Sequence, residues 1–159
     1  MNYHNITVDD MLNGDGLRTV LWVSGCMHHC RGCQNPQTWD EKSGIPFDEA
    51  AKEELFADLS RDYMDGVTFS GGDPLCPANR ETVGRLIAEI RDRFPQKTIW
   101  LYTGDLFESF RDTLPFLPLI DVIVDGPYVE ALRDVNLCWR GSKNQRVIDV
   151  KQTLATGKV

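Results

Sequence analysis

The length, composition and charge of the chain exclude several classes of protein. Its 159 residues are enough for a single domain, residues 1–159, and too few for two ordinary domains. Hydrophobic residues make up 42% and charged residues 26%, which is typical of a soluble globular protein, and the net charge of −7 argues against a general nucleic-acid binder. The N-terminus is polar and no apolar run could cross a bilayer, so we expect a cytoplasmic protein without membrane partners.

The hydrophobic pattern predicts strands and helices that alternate along the chain. Short apolar runs predict five strands, at residues 18–24, 66–70, 98–102, 120–124 and 146–150. Apolar residues at helical spacing predict helices at residues 47–63 and 79–93, and a short third helix for which Asp105 offers a capping side chain. Residues 1–17 are polar with a glycine-rich turn, and residues 151–159 have the character of a loose tail.

This alternation predicts an α/β protein with a mainly parallel sheet and right-handed crossovers. Four unusual loops each follow a predicted strand. They are residues 26–33, 71–74, 103–104 and 125–127. Ligand sites of parallel α/β folds lie at the carboxyl ends of the strands, so we expect these loops to border one site.

Three cysteines, Cys26, Cys30 and Cys33, have the spacing C-x3-C-x2-C. This spacing also suits one face of a helix, but Gly25 and Gly32 argue against a helix there. A loop can turn three thiolates around a common centre, and soft thiolate ligands suit zinc or an iron–sulfur cluster. The spacing alone favours neither metal centre over the other.

Each metal centre makes its own prediction about the remaining ligands. A zinc ion would take His28 or His29 as its fourth ligand, whereas the C-x2-C pair within the motif would by itself suit a dithiol redox site. A [4Fe-4S] cluster held by three cysteines would keep one iron open to a substrate, as catalytic zinc keeps an open position. Cys76 and Cys138 are isolated in the sequence, and isolated cysteines are most often small buried residues.

The cysteine motif resembles that of the radical S-adenosylmethionine (radical SAM) enzymes. The fuller run C-M-H-H-C-R-G-C-Q-N-P-Q-T-W is similar to the glycyl-radical-enzyme activases that act on anaerobic ribonucleoside-triphosphate reductase. Gly32 stands where many radical SAM enzymes have an aromatic residue, and it agrees with that subfamily. Residues 125–128 and 140–146 look like the same subfamily, although a solvated basic loop is the default interpretation of the second segment.

The resemblance covers most of the chain and implies an incomplete, open (β/α) barrel of the radical SAM type, because a complete barrel needs roughly 250 residues. It implies a [4Fe-4S] cluster on Cys26, Cys30 and Cys33, with S-adenosylmethionine at the open iron. The implied activity is that of an oxidoreductase that cleaves S-adenosylmethionine reductively and generates a glycyl radical on anaerobic ribonucleotide reductase. A small protein such as a flavodoxin would donate the electron.

Two other functions remain open at this point. One is the activation of another glycyl-radical enzyme such as pyruvate formate-lyase, and the other is a zinc or iron–sulfur binding module without catalysis. Metal analysis would separate the second from an enzyme, because a zinc module would hold one zinc per chain. A cluster enzyme would hold four irons with sulfide.

The resemblance also implies contacts to S-adenosylmethionine. Gly71, Gly72 and Asp73 match the Gly-Gly-Glu-like stretch that holds the methionine amino group in radical SAM enzymes. Missing Cβ atoms let a ligand lie against bare backbone, and Asp73 is shorter than the glutamate of the pattern, so the backbone contacts carry over better. Thr103 and Asp125, at strand ends, are expected to face the ribose and the methionine carboxylate. An ordinary turn is the alternative at each position.

Overall fold

The computed structural model describes residues 1–159 and contains one seven-stranded sheet with four helices. The strands are β1 Asn2–Asp10, β2 Arg18–Val23, β3 Ile45–Pro46, β4 Gly66–Gly71, β5 Thr98–Tyr102, β6 Val122–Asp125 and β7 Arg146–Asp149. The helices are α1 Glu49–Leu59, α2 Pro77–Arg93, α3 Phe107–Phe110 and α4 Val150–Thr156. No helix combines the length and apolar character that a membrane span needs.

The sheet is open and has the strand order β3-β1-β2-β4-β5-β6-β7. The central strands β2, β4, β5 and β6 are parallel neighbours, whereas β1, β3 and β7 add antiparallel strands at the two edges. The α/β class and the parallel core of the sheet confirm the prediction made from the alternation of strands and helices. The carboxyl ends of the four central strands therefore lie along one edge of the sheet.

One face of the sheet carries the hydrophobic core. Successive side chains of a strand point to opposite faces, and on this face they form an apolar cluster with residues of all four helices. The strand residues of this cluster are Tyr3, Ile6, Leu21, Val23, Val67, Phe69, Ile99, Leu101, Ile123 and Ile148. Burial of each large side chain contributes about 1.5–3 kcal/mol. The opposite face carries Trp22, Ser70 and Tyr102, which line a cavity instead.

The polar N-terminal segment forms strand β1, which the sequence pattern did not predict. Only Tyr3 and Ile6 of this strand are buried. Its pairing with β2 shifts register twice, and Asp9 has a positive φ of 57° at the second shift. These irregularities break the alternation of apolar and polar residues by which a strand is recognised.

The prediction that Asp105 caps the third helix is wrong. Leu106 is the N-cap residue of α3 and makes no side-chain capping bond. The carboxylate of Asp125, at the end of β6, instead accepts a hydrogen bond from the backbone N–H of Phe107 at 2.8 Å. The capping group therefore comes from a neighbouring strand, which no local sequence pattern reveals.

The C-terminal segment forms helix α4 instead of the predicted loose tail. Asp149 caps its first turn, because its carboxylate accepts a hydrogen bond from the N–H of Gln152 at 2.8 Å. Gly157 ends the helix in the left-handed conformation that glycine adopts without strain. Val150 and Thr153 are buried, so the helix is held by packing as well as by its caps.

Candidate functional site

A cavity of about 560 Å³ lies at the carboxyl ends of β2, β4 and β5. Its volume is in the range of small-molecule and cofactor sites. The thiols of Cys26, Cys30 and Cys33 border it, as do Gly71, Gly72 and Thr103. The structure therefore places six of the eight residues that were predicted to bind the metal or the cofactor around one cavity.

The cysteine loop, residues 24–35, connects β2 to a short 3-10 turn and contains no helix. Its two ends are fastened by backbone hydrogen bonds, from Gly25 to the carbonyl of Thr38 at 2.7 Å and from Cys26 to the carbonyl of Trp39 at 3.0 Å. Gly32 has a φ of 72°, a conformation that favours glycine. The loop conformation agrees with the sequence argument that glycines prevent a helix here.

All three thiols of the motif are free and half-buried. The N–H of Asn35 points at the sulfur of Cys33, 3.3 Å away. Burial raises the pKa of the Cys26 thiol, and the N–H groups of His28 and His29 offset part of that effect. A metal that binds this sulfur would therefore have to displace a proton that burial favours.

The histidines next to these cysteines are engaged elsewhere. His28 Nε2 lies 2.8 Å from Asp73 Oδ2 and 3.6 Å from Asp105 Oδ1. The hydrogen bond with Asp73 raises the pKa of His28, and burial together with the charge of Asp73 raises the pKa of Asp105. His29 packs edge-on against Trp39, with 4.8 Å between ring centroids. Both side chains therefore have protein partners, which weakens the zinc interpretation that needs one of them as a ligand.

The glycine pair packs against the start of the cysteine loop as well as lining the cavity. A Cβ on Gly72 would lie 2.5 Å from the carbonyl oxygen of Gly25, and a Cβ on Gly71 would lie 2.7 Å from the backbone of Val23. The N–H of Gly72 donates to the carbonyl of Val23 at 2.8 Å, and the N–H of Asp73 donates to the carbonyl of Gly25 at 2.7 Å. Backbone packing alone therefore requires glycine at both positions, whether or not a ligand binds.

Asp73 does not line the cavity, and its side chain is buried behind the wall. Its Oδ2 atom accepts hydrogen bonds from His28 Nε2 at 2.8 Å, from the hydroxyl of Thr103 at 3.0 Å and from the N–H of Gly104 at 3.0 Å. Its Oδ1 atom accepts from the N–H of Leu75 at 2.8 Å. The carboxylate therefore joins three of the strand-end loops.

Asp125 also lies outside the cavity lining and is fully buried. Besides capping α3, its carboxylate accepts hydrogen bonds from the guanidinium of Arg146, with 3.0 Å between Nε and Oδ1. Arg146 also forms a two-pronged ion pair with Glu108, at 2.9 Å and 2.8 Å. The hydrogen bonds from Arg146 lower the pKa of Glu108 to about 2. Asp125 therefore connects β6, β7 and α3 behind the site.

Two segments outside the predicted strands and helices complete the cavity. Leu12 and Asn13 line it, as do residues 133–135, 137 and 139–141. The ring of Trp139 packs edge-on against Trp100 of the sheet, with 5.0 Å between ring centroids. A tryptophan in a mostly polar segment could have predicted this contact, because a large aromatic side chain is usually buried against the protein.

The donor set of this site fits an iron–sulfur cluster with an incomplete ligand set. Three cysteines line one cavity, His28 and Asp73 are hydrogen-bonded to each other, and His29 packs against Trp39. Cys76 is buried at the N-terminus of α2 and lines a separate, smaller cavity that it shares with Cys26, and Cys138 is exposed. The hydroxyl of Tyr102, a residue of the cavity wall, is buried without a hydrogen-bond partner. An occupant of the cavity would have both soft and polar groups to bind.

Comparison with known proteins supports an iron–sulfur site. A family profile described as a 4Fe-4S single cluster domain matches residues 12–148. A protein of Enterobacteria phage T4 is 46% identical over 147 residues, covering 92% of this chain and 93% of the relative. Proteins of Escherichia coli K12 and Vibrio cholerae are 44% and 42% identical, covering 92% and 91% of this chain and 97% and 96% of the relatives. All three are named anaerobic ribonucleoside-triphosphate reductase-activating protein. The chain therefore belongs to the family of anaerobic ribonucleoside-triphosphate reductase-activating proteins.

Proposed function

We propose that this chain is a radical SAM activase, an oxidoreductase that generates a glycyl radical on an anaerobic ribonucleotide reductase. The observation that carries the proposal is the cavity at the strand ends, into which Cys26, Cys30 and Cys33 face from one loop. When bound, a [4Fe-4S] cluster and S-adenosylmethionine supply the electron transfer and C–S cleavage that give a 5′-deoxyadenosyl radical able to take hydrogen from a glycine. The chain itself supplies position and shields the site from water.

The residues take separate roles in this proposal. Cys26, Cys30 and Cys33 hold the cluster and leave one iron without a protein ligand. The backbone of Gly71 and Gly72 and the side chain of Thr103 form the wall on which S-adenosylmethionine lies. The other two residues predicted to bind this cofactor, Asp73 and Asp125, would act through the groups they hold, because their carboxylates are already hydrogen-bonded behind the wall.

The sheet supports an incomplete barrel of the radical SAM type, formed by residues 1–159 as one domain. The helices and the apolar cluster occupy one face of the sheet, and the cavity opens on the other face. Exposed apolar side chains stand at its border, with Leu12 exposed by 81% and Val135 by 79%. Such an open border would admit a segment of a protein substrate, which a closed barrel would exclude.

The identity of the protein substrate is taken from the names of the relatives. They are called activating proteins of anaerobic ribonucleoside-triphosphate reductase, and we propose the corresponding reductase as the substrate of this chain. A small electron-transfer protein such as a flavodoxin is proposed as the reductant. Five free cysteines and an oxygen-sensitive cluster require a reducing compartment, so we propose a cytoplasmic location.

The experiment that tests the function mixes the anaerobically reconstituted protein with S-adenosylmethionine, a reductant and the reductase. A glycyl-radical doublet in electron paramagnetic resonance, together with 5′-deoxyadenosine as product, is the expected result. A doublet with pyruvate formate-lyase but none with the reductase would retain the chemistry and refute the substrate. A protein that binds one zinc and forms no cluster would refute the activase.

A further inference from the structure

We infer that Asp73 is a positioning residue, which holds the cysteine loop through His28 and does not contact S-adenosylmethionine. The inference adds a residue role to the proposed function. It rests on that function because it assumes that the three thiols hold a cluster. It departs from what the resemblance to radical SAM enzymes implies for this carboxylate. The contacts of Asp73 with the cysteine loop and with the end of β5 carry it.

The carboxylate of Asp73 is poorly placed to bind a cofactor ammonium group. Its Oδ2 atom, which offers about two lone-pair directions, already accepts from three protein groups, and its Oδ1 atom accepts from one, all at 2.8–3.0 Å. The side chain of Asp73 is only 4% exposed. A ligand in the cavity could reach an oxygen of Asp73 only by displacing one of these donors or part of the cavity wall, because Asp73 does not line the cavity.

The bond between His28 and Asp73 is the principal polar anchor of the middle of the cysteine loop, beside the ring contact of His29 with Trp39. Between residues 27 and 32 no backbone group forms a hydrogen bond with the protein outside the loop. The only ion pairs of this segment are those of His28 and an exposed one between Arg31 and Glu130 at 3.2 Å. Exposed ion pairs contribute little to stability. Because His28 stands midway between Cys26 and Cys30, its anchor sets the position of both sulfurs.

The end of β5 is shaped to receive the His28 ring. A Cβ on Gly104 would lie 2.4 Å from Cδ2 of His28, so the ring lies directly on glycine backbone. The N–H of the same glycine donates to Asp73, as does the hydroxyl of Thr103. Asp73 therefore holds both the ring and the surface against which the ring packs. Outer partners of this kind commonly set the orientation of metal ligands.

The test compares four single variants and one double variant of the anaerobically reconstituted protein. Asp73→Ala and His28→Ala remove the anchor from either side. His28→Gln retains an N–H donor at a similar position and should restore the bond. Arg31→Ala removes the exposed ion pair of the same loop and serves as the matched control. The measurements are iron and sulfide per chain, the rate of iron loss to a chelator, and the affinity for S-adenosylmethionine.

Asp73→Ala and His28→Ala should each lose iron about ten-fold faster than the wild type, at the lower end of the effect of outer partners on metal affinity. His28→Gln and Arg31→Ala should stay close to the wild type. The double variant of Asp73 and His28 should lose iron no faster than either single variant, because both act through one bond. Those molecules that retain a cluster should bind S-adenosylmethionine as the wild type does.

A different result would overturn the inference. If Asp73→Ala kept its iron but lost affinity for S-adenosylmethionine, and His28→Ala changed neither, Asp73 would be a direct cofactor contact. If Asp73→Ala did not fold, the pair His28→Ala and His28→Gln would decide, because the His28 side chain is 26% exposed and its loss leaves the core intact.

Hydrogen exchange of the metal-free protein separates this inference from the proposed function. The amide of Gly104 should exchange faster in Asp73→Ala than in the wild type, since its acceptor is lost. Equal exchange in both proteins would refute the anchor even if the protein is an activase. Faster exchange in a protein that forms no cluster would retain the anchor and refute the activase.

Discussion

A Cβ atom on Gly72 would lie 2.5 Å from the carbonyl oxygen of Gly25. The glycine pair after β4 and the start of the cysteine loop after β2 are therefore in backbone contact, which is reinforced by the hydrogen bond from Asp73 N–H to the same carbonyl. The predicted cofactor wall and the predicted metal loop form one packed unit. A change in either is expected to disturb the other.

Substitution of Gly72 by Ala should accordingly affect both stability and the cluster. The new methyl group would meet backbone atoms that cannot move aside, and overpacking of this kind costs about 1–3 kcal/mol. We expect a lower free energy of unfolding and a lower iron content, measured by denaturant titration and metal analysis. Gly141→Ala is the control, because its Cβ would meet only side-chain atoms, the ring of Tyr128 at 3.1 Å and Gln145 Oε1 at 3.7 Å. A variant that loses affinity for S-adenosylmethionine but keeps its stability and iron would contradict this packing argument.

Replacement of single cysteines should separate the ligands from the other thiols. Ala at Cys26, Cys30 or Cys33 should abolish the stable cluster, because each removes one of three thiolates around the cavity. Ala at Cys76 or Cys138 should leave iron and sulfide per chain unchanged. The measurement is metal analysis with absorbance after anaerobic reconstitution. Loss of the cluster in Cys76→Ala together with its retention in Cys30→Ala would refute the assignment.

The ion pair between Arg146 and Glu108 should make stability depend on pH in the acid range. The hydrogen bonds of Arg146 hold the pKa of Glu108 at about 2, below its usual 4.5. A carboxylate whose pKa is lower in the folded state stabilises the fold above the unfolded-state pKa. That contribution is then lost as the pH falls from about 4.5 towards 2. Glu108 is half-exposed, so the effect is small.

Denaturant titration of the wild type and Glu108→Gln tests this pH dependence. The wild type should be the more stable protein at neutral pH, and the difference should shrink as the pH approaches the folded-state pKa. Glu81→Gln is the control, because its contact with Arg85 is 3.8 Å long and exposed. A difference between wild type and Glu108→Gln that stays constant with pH would show that the ion pair contributes nothing.

The contact between Trp139 and Trp100 should hold the loop that closes the cavity. An edge-to-face pair of this kind contributes about 0.5–1.5 kcal/mol beyond area burial. Trp139→Ala should therefore lower the free energy of unfolding and weaken the binding of S-adenosylmethionine, while the iron content stays that of the wild type. Cys138→Ala, in the same loop and exposed, is the control for both readouts. Unchanged binding in Trp139→Ala would show that residues 133–141 take no part in holding the cofactor.

Much of the fold could be predicted because its signals are local. The central strands are short segments rich in apolar residues that glycine soon follows, and α1 and α2 repeat apolar residues at helical spacing. The predicted segments therefore overlap the observed β2, β4, β5, β6, β7, α1 and α2. Strand β1 and helix α4 were missed, since the first is a polar, irregular edge segment and the second is seven residues long and depends on its caps. Secondary structure that depends on tertiary contacts is difficult to recognise from local amino-acid composition.

The candidate site divides in the same way. The amino-acid sequence by itself determined the three-cysteine loop, the glycine pair and their place after parallel strands, because spacing and backbone conformation are properties of short segments. Only the tertiary structure decided what Asp73 and Asp125 do. Each carboxylate accepts hydrogen bonds from distant parts of the chain. The donors to Asp73 include His28 and Thr103, and the donors to Asp125 include Arg146. Which donors reach a buried carboxylate depends on how the strands and loops assemble in space, and that arrangement is absent from any local pattern.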